Sequence, residues 1–134
     1  LRYGVSPAQQ RYYQAQARRL DSLTQEAKAL NAAVQWTRLA GGDSAKGLKM
    51  LRQKVRESHD ELQSAVIALH DAIQQGDPDL VVEAREEMEH RERACDRYEK
   101  ELADIEREIN ATRNREQAER EQREQQQHKR GRSL

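Results

Sequence analysis

Four histidines, one cysteine and 24 Asp and Glu residues are the side chains of this 134-residue chain best suited to metal binding or proton transfer, and their spacing limits what each can do. Glu87, Met88, Glu89 and His90 contain Glu-x-x-His, the spacing with which ferritin-like bundles hold paired metals. Such a site needs a second Glu-x-x-His and two more Glu on facing helices, and the first helix offers only Glu26. His90 also falls off the apolar stripe, so it reads as a solvated surface histidine. His59 and His70 lie on one helix with no Ser or Cys at helical spacing, so a triad would have to be assembled across helices. Cys95 occupies an apolar register position and reads as a small core residue. The GGDSAKG stretch lacks P-loop spacing, and paired-Cys and EF-hand patterns are absent from the sequence. These readings predict no catalytic residue, no metal site and no cofactor, hence not an enzyme.

Binding is the remaining class of function. Arg18, Arg19, Arg38, Lys46, Lys49 and Arg52, joined by Lys54 and Arg56 and by Lys129, Arg130 and Arg132 near the C-terminus, form a candidate basic patch for phosphates. Four Tyr and one Trp are too few to interleave as a stacking platform, so a nucleic-acid partner is the secondary expectation. Trp36, Ile67 and Val82 are large apolar residues outside the helix seams, where they either widen the core or mark a contact with another protein. A protein partner is the primary expectation.

The elements that must position these residues are three helices. Ser6 and Pro7 start the first, whose stripe Leu20, Leu23, Ala27, Leu30 and Val34 steps by three and four residues up to the Gly41-Gly42 stop. The second runs over about 45–75 with a wide stripe of Leu48, Leu51, Val55, Leu62, Ala65, Val66, Leu69, Ala72 and Ile73. Gly76, Asp77 and Pro78 supply a stop, a cap and a first-turn proline in succession. The third carries Val81, Ala84, Met88, Cys95, Tyr98, Leu102, Ile105 and Ile109 in one heptad register, with Arg91 in a core slot facing Asp60, Glu61 or Asp21.

The expected fold is all-α: an elongated antiparallel three-helix bundle over 1–112, with helices at about 7–40, 45–75 and 78–112. Residues 113–134 are expected to extend helix three as a polar segment fraying to a disordered basic end, because Ala118 is the only apolar side chain between 112 and 127. Counting outward from the turns places Ser22, Leu62 and Arg91 at one level. The stretch KALNAAVQWTRLAGGDSAKGLKML has a rhythm similar to the first turn of the co-chaperone BAG domain, and the size and topology resemble a spectrin-type repeat. Both likenesses are architectural: the acidic third helix differs from the basic surface of the former, and Trp36 lies later in its helix than in the latter.

Charged residues make up 36% of the chain and mean hydropathy is -1.17, a composition that needs its ordered stripes to fold at all. Net charge is zero but segregated: 11 Lys and Arg against 4 Asp and Glu over 1–59, 6 against 16 over 60–110, and 7 against 4 over 111–134. A basic first half folded against an acidic second half accounts for this pattern. No stretch reaches the ~18 apolar residues of a membrane span, and the opening residues lack the apolar core of a signal peptide. The single Cys fits a reducing compartment. An intracellular, cytoplasmic location and a monomer or weak homodimer are expected, with a Leu start leaving room for a preceding segment.

Overall fold

Ser6, Asp43 and Asp77 cap three helices, each by accepting a backbone N–H with its side chain, from Gln9 at 3.2 Å, Lys46 at 3.1 Å and Asp79 at 3.0 Å. In the computed structural model, which describes residues 4–132, these helices are α1 (Pro7–Leu39), α2 (Ser44–Gln75) and α3 (Pro78–Arg132). At the start of α1 the Gln9 side chain also accepts from the Ser6 N–H, completing a capping box. Gly76 ends α2 in the left-handed conformation, φ 72°, as the sequence predicts. The described residues contain no strand, and none of the helices is long and apolar enough to cross a membrane. The fold is an all-α three-helix bundle.

α2 and α3 form an antiparallel coiled-coil hairpin. Buried Leu51, Ser58, Ala65 and Ala72 recur every seven residues on α2, flanked by half-buried Leu48, Val55, Leu62 and Leu69. The α3 seam follows the register read from its sequence, from Val81 to Ile109. Arg52 with Glu106 at 3.5 Å and Glu61 with Arg91 at 2.8 Å mark successive levels. Arg91 thus spans the seam to Glu61 and also pairs with Glu87 at 2.7 Å on its own helix. Asp21, on the first helix, takes no part in that pairing.

The role of α1 departs from expectation. Its leucine stripe is not in the core: Leu20, Leu23, Leu30 and Val34 are all exposed, Leu30 by 66%. The buried face is Ala29, Ala32, Trp36 and Ala40, about 150° around the helix from that stripe at ~100° per residue. Gly47 is the physical reason. A Cβ there would lie 2.7 Å from the Trp36 carbonyl oxygen, so only glycine lets the α1 and α2 backbones meet at this level. The close approach turns the alanine face inward and packs Ala32 and Trp36 against Leu51 and Ile105, with Tyr98, Leu102 and Ile109 around them.

The level counted from the turns holds for Leu62 and Arg91, where Glu61 meets Arg91, but not for α1. Gln25 accepts from Arg107 at 3.4 Å, whereas counting sets it near Arg91. α1 therefore covers only one end of the hairpin, and residues 7–28 are exposed throughout. α3 likewise continues as exposed helix from Thr112 to Gly131, about 30 Å at 1.5 Å per residue, where the sequence predicts a polar helical extension fraying to a disordered end. Continuity with the packed part of α3 removes the nucleation cost, which is what carries the helix on. Ser133 and Leu134 lie outside the described residues.

Candidate functional site

Three places combine exposure with chemistry. The first is the exposed stripe of α1, where Leu20, Leu23, Leu30 and Val34 repeat at heptad spacing, Leu30 also lining a groove with Ile105 and Ile109 of α3. The spacing is that of one side of a coiled-coil seam. Exposed Val66 and Ile73 on α2, and Leu80 at the start of α3, add apolar surface along the part of the hairpin that α1 leaves bare.

Of the three residues singled out for protein contact, Ile67 and Val82 are exposed, at 54% and 58%. Trp36 is not. It lies in the core, its ring edge-to-face with Tyr98 at 6.1 Å and its indole N–H donating to Glu101 at 2.9 Å. Of the two roles open to it, Trp36 thus widens the core, where facing α3 buries its rings and satisfies its N–H.

The second place is a groove of about 890 Å³ beside the first turn. Its floor includes Trp36, Ala45 and Met50, and its rim carries Lys46, Lys49, Lys54 and Arg56 with Asp43 and Glu57. Lys54 and Arg97 both stand over the Tyr98 ring, at 5.9 and 4.9 Å from its centroid. The predicted basic patch is divided by the fold. Arg38 is in the last turn of α1, while Arg52 is spent on Glu106. Arg18 and Arg19 sit about 25 Å up α1 from Trp36, and Lys129 and Arg130 about 30 Å beyond Ile109 on the exposed end of α3. The side chain of Arg132 lies outside the described residues.

The third place was not singled out as a site from sequence. His59 on α2 meets Cys95 and Glu99 on α3 at one level of the hairpin, with their donor atoms all within 4.8 Å of one another. His59 Nε2 contacts Glu99 Oε1, and the Cys95 thiol donates to the same oxygen at 3.6 Å. Burial pushes the Cys95 thiol up from its ordinary range; Ser58 works against that as a hydrogen-bond partner, and the Glu99 and Asp96 carboxylates add to it. Such a thiol is a poor nucleophile at neutral pH. The signal was available: Cys95 and Glu99 are four apart, one turn of helix, and counting from Gly76 brings His59 to their level. His90, by contrast, is exposed and outside this cluster.

Comparison with known proteins finds no matching family model, no matching curated sequence and no matching solved structure.

Proposed function

We propose that the chain is a non-enzymatic protein-protein interaction module, an adaptor, scaffold or assembly subunit, whose docking element is the exposed face of α1. The observation that carries this reading is the leucine stripe itself. Four large apolar residues at heptad spacing, left exposed by the bundle, fit an amphipathic helix from another protein laid along α1. Solvation alone gives no reason for three leucines and a valine on one face.

The test compares the wild-type chain with Leu23→Gln/Leu30→Gln in captures from native lysate with and without nuclease. Captured proteins that survive nuclease and are lost with the double variant are the expected result. Because both leucines are exposed, the variant should melt within ~0.5 kcal/mol of wild type. Capture that nuclease abolishes would instead favour a nucleic-acid accessory role for the Lys46, Lys49, Lys54 and Arg56 groove. Light scattering of both proteins checks a second use of the stripe, self-association, against the expected monomer or weak homodimer.

A further inference from the structure

His59, Cys95 and Glu99 supply three different metal-ligand types from two helices at one point of the hairpin. Cys95 forms the floor, 3% exposed, while the His59 and Glu99 side chains stand half-exposed at the rim. In a tetrahedral site with Zn–S near 2.3 Å and Zn–O or Zn–N near 2.0 Å, the sulfur-to-oxygen edge comes to about 3.5 Å and the nitrogen-to-oxygen edge to about 3.3 Å. Cys95 Sγ and Glu99 Oε1 already stand 3.6 Å apart. His59 Nε2 now touches that oxygen and must open to the longer edge, a side-chain rotation that two half-exposed groups can make.

We propose that His59, Cys95 and Glu99 bind one zinc-class divalent cation that clips α2 to α3, with water in the fourth, solvent-facing position. The donor set selects the class of ion. Thiolate and imidazole favour zinc or cobalt, whereas magnesium and calcium require oxygen ligands throughout. On binding, the Cys95 S–H bond is replaced by a sulfur–metal bond and its proton leaves to solvent, as does any second proton on His59, so affinity rises with pH.

The test titrates cobalt(II) into the full chain, stripped of metal and reduced, and then adds zinc. One equivalent of cobalt should give a thiolate-to-cobalt charge-transfer band in the near ultraviolet and tetrahedral d–d bands in the visible, both removed by zinc. Cys95→Ser should lose the charge-transfer band, and His59→Gln and Glu99→Gln should each weaken cobalt binding at least tenfold. The last two change half-exposed side chains, so circular dichroism should show them folded even if Cys95→Ser is not. Absence of the band, a band that both His59→Gln and Glu99→Gln leave unchanged, or an endpoint at half an equivalent would overturn the proposal. The half-equivalent endpoint would assign the ion to a contact between two copies.

Discussion

Gly47→Ala tests the packing that sets the whole arrangement. The new Cβ would meet the Trp36 carbonyl oxygen at 2.7 Å, the Trp36 carbonyl carbon at 2.8 Å and the Thr37 nitrogen at 3.0 Å. All three are backbone atoms, so no rotamer change relieves the contact. Restoring ordinary van der Waals separation requires α1 to move off α2 by about 0.7 Å, and dispersion contacts weaken steeply over such a gap. Trp36 travels with that backbone, straining its bond to Glu101 and its contact with Tyr98. Overpacking of this kind costs about 1 to 3 kcal/mol. Against it stands the helix preference of alanine over glycine, about 0.8 to 1.0 kcal/mol. The difference leaves a net loss of about 0 to 2 kcal/mol, and because three immovable backbone atoms are struck at once the upper half of that range, about 1 to 2 kcal/mol, is expected. For a chain of this length that lowers the melting midpoint by about 3 to 10 °C. Thermal melts followed by circular dichroism and by Trp36 fluorescence check it, with Gly131→Ala, whose added Cβ meets nothing within 4 Å, as the control. A Gly47→Ala protein that melts at or above wild type would refute the close-approach account, and with it the reason given for the outward leucine stripe.

Three further outcomes follow from the same geometry. Truncation after Arg113 removes side chains exposed throughout the described part of the tail, so the melting free energy should change by less than ~0.5 kcal/mol, and a larger drop would mean that the tail packs on the bundle. Arg91→Leu exchanges a partly exposed ion pair for an apolar residue in a heptad slot; stability within about 1 kcal/mol of wild type is expected in a denaturant melt, whereas unfolding would show the charge to be indispensable. The folded state holds the Cys95 proton more tightly than the unfolded chain does. Its contribution is therefore fully present below the ordinary thiol value of 9.0 and is lost as pH rises through the raised one. Alkaline denaturation should begin later in Cys95→Ala than in wild type, relative to each protein's neutral stability, and alkylation of native Cys95 at neutral pH should be far slower than in denaturant.

Local chemistry was legible without the fold. Ser6-Pro7, Gly41-Gly42 and Gly76-Asp77-Pro78 delimit the helices because capping, proline geometry and positive φ act within a few residues. The α3 register was equally plain, down to the charge at Arg91, since a heptad repeat against one antiparallel neighbour leaves little freedom; of the three carboxylates in reach, the structure selects Glu61. The helical extension of α3 was legible too, since continuity from a packed helix removes the nucleation cost; how far the helix runs before fraying is a balance of propensity and weak side-chain pairs, and it runs to Arg132.

What periodicity could not decide was which of two faces α1 turns inward. Its leucine stripe has the stronger apolar signal, yet the face of Ala29, Ala32 and Trp36 is the one buried. The deciding residue is Gly47, on another helix, and its effect exists only once the two backbones touch. The meeting of His59, Cys95 and Glu99 belongs to the same class. Residue types and spacing supply the donors, but only the tertiary pairing of α2 with α3 sets sulfur, nitrogen and oxygen within 4.8 Å. Sequence fixes what a helix offers on each face, and close packing between helices, a property of no single segment, selects the face that is used.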